Sequence, residues 1–452
     1  MATWVKEYQS KLVSPEKAVS VVKSGDWICY TYGANTLPVL DRALAARAPE
    51  LYDVHLLAGV SVRPHAVIMA DPKGKHFYWN CTHFSAIDRK YLEMGRAFYI
   101  PLKYSEVPRY IRENVRVDIL MVQVSPMDKH GNFNMGPTIS HYRAAADKAK
   151  IIIVEVNEDM PIAHGGYGHY LHVSEIDYIV EGGHTGMPQI PSEATDEVDK
   201  QIARYVLEDL KDGDCLQLGI GTMPNALGQM IAQSDLKDLG IHTEMLVDSF
   251  VDMVENGRIS GRKKQIDVGR IVYTFAGGTQ KLYDFIDDNP QVAGFPVDYT
   301  NDRVIASLND NVVAINNALE MDLSGQVCSE TIGPRMISGA GGQLDFVDAA
   351  YNSKGGRSFI CMASTYTDLE GKKHSRINPL LTMGAVVTDT RSTVQYVVTE
   401  YGMINLKGQT TWQRAEKLIS IAHPDFRDEL IREAQKLKIW RESNKIQSFK
   451  IS

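Results

Sequence analysis

Short apolar runs alternate with helix-spaced stretches along most of the chain. Continuous apolar runs, the mark of strands covered on both faces, occur at Val117–Val124, Ile151–Val156, Ile271–Phe275 and Phe359–Met362, with a similar pattern at Asn311–Ala318. From Asp196 to Leu210 the apolar residues Val198, Ile202, Val206 and Leu210 recur every four positions, which places them on one helix face. Lys281–Asp287 and Thr411–Ile421 are further helical stretches. Strands alternating with helices predict an α/β fold built on mainly parallel sheets flanked by helices.

The pattern also repeats. Gly25-Asp26 opens a strand-like run that ends at Gly33 and continues to Thr36-Leu37-Pro38. Gly213-Asp214 opens a second run that ends at Gly219-Ile220-Gly221 and continues to Thr222-Met223-Pro224. Each copy then reaches a histidine, at Val54-His55 and at Ile241-His242. Further on, Asp128-Lys129-His130-Gly131-Asn132 and Asp322-Leu323-Ser324-Gly325-Gln326 give the same turn signal, Asp-x-x-Gly-amide, after a buried-strand pattern. The offset is 188 residues between Gly33 and Gly221, and 194 between Gly131 and Gly325. Two matches in one order predict a duplicated domain. The stretch Gly186–Ser192, with two prolines, is the predicted join, dividing the chain into residues 1–190 and 191–452.

Composition narrows the functional classes. With 48 Lys and Arg against 56 Asp and Glu, the net charge of −8 speaks against a nucleic-acid partner. Five scattered cysteines never form a Cys-x-x-Cys pair, so neither a disulfide framework nor a structural zinc site is expected. No signal-peptide core opens the sequence and no apolar stretch approaches 18 residues. A cytoplasmic protein without a membrane partner is the expectation. His164, His169, His172 and His184 are dense but lack His-Glu-x-x-His spacing, so no metal is expected.

Three segments are candidates for chemistry. Gly219–Pro224 leads from a strand into a helix, with Thr222 as the expected cap. Glycines before a helix start let N–H groups approach an anion closely, although a tight turn would look the same. Gly240–Ser249 reads as a second strand ending in polar residues, and puts Glu244 where ligands of parallel sheets bind. A carboxylate there can act as nucleophile or base, or be an ordinary ion-pairing residue. The first copy has Leu56-Leu57 after His55 and so no acidic counterpart. Ser338–Phe346 holds three glycines in four residues, bare backbone that can line a pocket or donate to an oxyanion. Neither a Gly-x-Ser-x-Gly elbow nor a Walker-type lysine loop is present.

Leu218–Ala226 followed by Gly240–Met245 resembles the acetyl-CoA hydrolase/transferase family of CoA-transferases. The resemblance extends over Val124–Gly131, Val154–Asn157, His172–Asp177, Pro296–Tyr299, Ser338–Phe346 and Val398–Gly402, nearly the whole chain. Butyryl-CoA:acetate CoA-transferases are the most similar subgroup, with 4-hydroxybutyrate CoA-transferases next. The resemblance implies two similar α/β CoA-transferase domains, the second carrying the catalytic residue, and a ping-pong exchange through a glutamyl-CoA thioester. Glu244 matches the nucleophile. Gly219, Ile220, Gly221, Thr222 and Met223 match the CoA-binding stretch, with further contacts at Leu319 and Gly342. Coenzyme A would be a substrate, with no permanently bound cofactor. Partners would be acyl-CoA and short carboxylic acids, and the protein a homo-oligomer. Hydrolysis of acyl-CoA, or transfer to 4-hydroxybutyrate or propionate, are the alternatives. One departure is Asp348-Ala349-Ala350, where relatives often carry Arg-Gly-Ala or Leu-Gly-Ala; Asp348 is expected to face away from the CoA phosphates. A CoA site in an acidic protein also predicts positive potential confined to the cleft at Gly219 and Gly342. Tyr30, Tyr32, Met69, Trp79 and Tyr142 are plausible liners of the acyl pocket.

Overall fold

Seven strands of the first half are parallel: β1 (Trp27–Tyr32), β2 (Val54–Gly59), β3 (Phe77–Cys81), β4 (Ala97–Tyr99), β5 (Ile119–Val124), β6 (Ile151–Asn157) and β7 (Tyr178–Gly183). Eight strands form the second sheet: β8 (Cys215–Leu218), β9 (Gly240–His242), β10 (Ile271–Tyr273), β11 (Val292–Gly294), β12 (Val312–Asn317), β13 (Arg357–Cys361), β14 (Tyr396–Thr399) and β15 (Gly402–Asn405). These assignments come from a computed structural model that describes residues 3–191 and 194–441. Ser192, the end of the predicted join, lies outside the described residues.

The first sheet runs β4-β3-β2-β1-β5-β6-β7, and the second β11-β10-β9-β8-β12-β13-β14-β15. The same order recurs, with one added strand, and only the β14–β15 pair is antiparallel. The central strands explain why the apolar runs are continuous. Every residue of β5 and of β8 is buried, because helices cover both faces. Ile28 and Tyr30 of β1 pack into one apolar layer and Cys29 into the other.

Four helices matter for the site: α1 (Pro38–Ala46), α2 (Glu197–Asp209), α3 (Thr222–Gln233) and α4 (Gln343–Asn352). The predicted helix at Asp196–Leu210 is α2, with Asp196 as its cap accepting from the Asp199 N–H. Helices also form at Gln280–Ile286 and Thr411–Ser420, as the spacing predicts. The Ile271–Phe275 run is split: β10 ends at Tyr273, and Phe275–Ala276 pairs instead with Met245–Leu246.

The two Asp-x-x-Gly turns are the same structure. Asp128 Oδ1 accepts from the N–H groups of His130 and Asn132, and Asp322 Oδ1 from those of Ser324 and Gln326. In each turn the amide side chain donates back to the other carboxylate oxygen. The histidine match fails by two residues. Trp27 pairs with His55, whereas Cys215, its counterpart 188 residues on, pairs with Gly240. The counterpart of Glu244 is therefore Gly59, and the first copy still has no carboxylate there.

Candidate active site

The site forms where the strand order changes direction, between β8 and β12. In such sheets ligands gather beyond the carboxyl ends of the strands at that point. Gly219 follows β8, Glu244 lies two residues past β9, and Asn317 ends β12. Together with Gly339–Gly342 and with Tyr32, Val60 and His83 of the first half, they line a cavity of about 230 Å³.

Glu244 is placed by the backbone on both sides. The Thr243 N–H donates to Val272 O at 2.9 Å, and Glu244 O accepts from Thr274 N–H at 3.0 Å. Thr274 O in turn accepts from the N–H groups of Ile139 and Ser140 of the first half. The carboxylate receives the Asn301 Nδ2–H on Oε2 at 2.6 Å and the Gly342 N–H. Burial pushes its pKa up to about 7, and the negative charge of Asp345 adds to this, against the pull of the two hydrogen bonds. Gly342 must be glycine for space rather than for backbone angle. A Cβ there would lie 2.2 Å from Asn301 Nδ2 and even nearer Glu244 Oε2.

The glycine turn after β8 is tight. Gly221 has φ +126 and is the N-cap of α3, a conformation that costs an L side chain dearly. Thr222 is thus the first helical residue and not the cap, contrary to the sequence expectation, and among the described residues no side chain caps α3. Its first N–H groups carry the partial positive charge of a helix start. Gly219 and Ile220 line the cavity, with Ile220 55% exposed. Thr222 follows the capping glycine, and Met223, the second residue of α3, is buried.

Leu319 lies elsewhere. It lines a second cavity of about 520 Å³ together with Lys372, Lys373, His374 and Arg376. Arg376 donates to Leu319 O at 2.7 Å. The expectation of positive charge at Gly219 and Gly342 is therefore displaced. Among the described residues no Lys or Arg lines the Glu244 cavity, and basic side chains collect in this second cavity, beside Glu320 and Glu429. His83 brings no charge, because burial lowers its pKa to about 4. Asp348 does not line the Glu244 cavity.

Of the five aromatic and Met residues considered for the acyl pocket, only Tyr32 reaches the cavity. Tyr30, Trp79 and Tyr142 are core residues, and Met69 is exposed. Each histidine of the dense cluster has its own local contact: His164 meets Asp288, His172 Ser174, and His184 Asp159, while His169 stacks edge-on against Tyr170. Among the described residues no group of three His, Cys, Asp or Glu could hold a metal ion, and all five cysteines are free and buried. No helix among these residues is long and apolar enough to cross a membrane.

Sequence reasoning passed over Asn301, Val60, His83 and Phe275. Asn301 stands two residues after the Pro296–Tyr299 motif, and only folding shows that it meets Glu244. Val60 has φ +50, a strained conformation for a β-branched residue.

The N-terminal domain model of the acetyl-CoA hydrolase/transferase family matches residues 2–191, and the C-terminal domain model residues 278–434. A butyryl-CoA:acetate CoA-transferase of Anaerostipes caccae is 51% identical over 97% of this chain and 99% of its own. A 4-hydroxybutyrate coenzyme A transferase of Clostridium kluyveri is 40% identical over 96% of this chain and 99% of its own. The crystal structure of RipA from Yersinia pestis superposes with a TM-score of 0.87 at 36% identity, covering 97% of this chain and all of that one. With both domain models matched and relatives alike over nearly full length, the chain belongs to the acetyl-CoA hydrolase/transferase family.

Proposed function

We propose that this protein moves CoA between a short acyl-CoA and a carboxylate, with butyryl-CoA and acetate as the pair, and that Glu244 is its nucleophile. A half-buried carboxylate held by two N–H donors at the junction of both halves carries this reading. A Glu244 oxygen attacks the thioester carbonyl and expels CoA thiolate, leaving an acyl–glutamyl anhydride. The thiolate attacks the glutamyl carbonyl, releases the carboxylic acid as its anion, and forms a glutamyl-CoA thioester. Acetate attacks that thioester and expels CoA thiolate. The thiolate then attacks the acetyl carbonyl, giving acetyl-CoA and restoring Glu244. No proton is gained or lost overall, and three covalent intermediates replace one difficult exchange.

In the two steps at the glutamyl carbonyl, one Glu244 oxygen becomes the oxyanion. The Gly342 N–H and the Asn301 amide, already on this carboxylate, suit its stabilisation. The open start of α3 beside Gly219–Met223 and the basic cavity at Leu319 support a path for CoA, the thiol at Glu244 and the phosphates near Lys372, Lys373 and Arg376. The same proposal includes the division at residues 190 and 191, a cytoplasmic homo-oligomer, and no resident cofactor.

Incubation with butyryl-CoA and no acceptor, followed by borohydride reduction, is expected to modify Glu244 alone. Full activity of Glu244→Ala would overturn the mechanism. Release of free CoA without acetate, at the transfer rate, would identify a hydrolase instead. A faster rate with 4-hydroxybutyrate or propionate would change the acid.

A further inference from the structure

We propose that Asp345 is a positioning residue for Glu244, acting through the Asn301 amide and locking it to the first half of the chain. The proposal rests on the CoA-transfer reading above.

Asp345 stands in the first turn of α4, three residues after Gly342, and is 4% exposed. A carboxylate so buried is costly unless it is bonded. Its bonds come from the other half. Ser105 donates its N–H to Oδ2 at 3.1 Å and its hydroxyl to Oδ1 at 2.8 Å. Lys103 Nζ lies 3.7 Å from Oδ1, and the Tyr104 N–H donates to Gly341 O at 2.9 Å. Residues 103–105 thus grip both the glycine loop and the helix that follows it.

Asn301 connects this grip to the nucleophile. Its side-chain amide donates to Glu244 at 2.6 Å, and it stands close enough to Asp345 to favour the charged form of that carboxylate. A carboxylate accepts only, whereas an amide has a donor end and an acceptor end. Asp345 therefore holds the NH2 end between the two carboxylates. The Asn301 Oδ1, buried and without a hydrogen bond, is kept off Glu244, where it would repel the nucleophile. Asp345 also sets the charge around Glu244, since a second carboxylate disfavours ionisation of the first and keeps it basic. Lys103 opposes this from the first half, itself drawn to Glu106 and Asp348. Tyr32 and Tyr104 face the same space and stay un-ionised, because burial raises both pKa values.

The test uses Asp345→Asn and Ser105→Ala in the full chain, with kcat, KM and the pH profile measured for butyryl-CoA and acetate. Asp345→Asn is expected to lower kcat about tenfold or more while KM for butyryl-CoA stays within about twofold. Its acid limb in kcat/KM should move to lower pH, because the neighbouring charge is gone. Ser105→Ala removes a donor from Asp345, makes it easier to protonate, and should shift the limb the same way by less. An unmoved limb, or a loss carried by KM alone, overturns the proposal. If Asp345→Asn does not fold, Ser105→Ala decides by the same criteria. A wild-type protein that transfers no CoA in this assay overturns the functional reading instead, whatever the variants do.

Discussion

In the first half, β1 leads through Gly33 into α1, and the Val39 and Leu40 N–H groups at the helix start donate to Glu155 Oε2 at 3.1 and 2.8 Å. In the second half, β8 leads through Gly221 into α3, whose start has no side-chain cap and opens beside the Glu244 cavity. Register makes the comparison strict. Ile119 pairs with Ile151 and Val313 with Arg357, so four residues on, Glu155 and Cys361 occupy corresponding places. Gln123 donates to Glu155 Oε1, while its counterpart Asn317 donates to Ile220 O and shapes the open loop. One copy thus fills its helix start with its own carboxylate, and the other carries Cys361 in the place of that carboxylate. The difference lies in one side chain two strands along the sheet, not in the loop that resembles its partner.

The comparison breaks most sharply at the two glutamates. Glu244→Ala should lower the transfer rate by about 10,000-fold, as loss of a covalent nucleophile does. Glu155→Gln should leave kcat within about threefold, because it touches no reacting atom. Steady-state rates with butyryl-CoA and acetate check both, and equal losses would end the distinction.

Glycines give the next largest effect. Gly342→Ala drives a methyl group into Glu244 and Asn301 and should cost about 100-fold in kcat or more, the scale of a lost oxyanion donor. Gly33→Ala meets nothing closer than 3.6 Å. It should show only backbone strain at φ +56, about 1 kcal/mol by denaturant unfolding.

The pH responses of the two carboxylates should also separate. Both have pKa values raised to about 7, Glu155 first by burial. For Glu155 the folded state keeps a proton that the unfolded state has released, so stability falls as pH rises from the usual carboxylate range to about 7. The fall is about 3 kcal/mol from this one group, and Glu155→Gln should remove it from urea-unfolding curves taken across that window. Glu244 should instead appear in kinetics. Attack needs its ionised form, so kcat/KM should drop below about pH 7.

The smallest contrast lies in the duplicated turns. Asp128 is exposed and Asp322 buried, although their bonds match. Asp322→Ala should cost about 2 kcal/mol and Asp128→Ala about 1, since buried N–H groups lose more when left unpaired. Chemical denaturation of the two variants measures this, and equal costs would mean that burial does not separate them.

Much of this was legible in order along the chain. The apolar runs, the glycine turns and the two Asp-x-x-Gly turns are local, and local patterns carry both their own structure and their repetition. Glu244 stood out only through the resemblance of its segment, because a carboxylate just past a strand can equally be an ordinary ion-pairing residue. The histidine match misled because a two-residue slip keeps the same face of a strand, so alternation cannot detect it. Thr222 misled because a glycine one residue earlier can take the φ that a cap after this strand needs. The basic cavity was invisible because Leu319 and the Lys372–Arg376 stretch come from separate segments, joined by strand pairing between Met321 and Ile377.

The sequence by itself determined the α/β alternation and the duplication, because each depends on spacing within one segment. The tertiary structure decided which helix start stays open, which donors surround Glu244, and how basic it is. Those depend on Glu155, Asn301, Gly342 and Asp345, residues drawn from different strands and loops. Hydrogen bonding and desolvation act over a few ångströms of space, and distance along the chain does not report them.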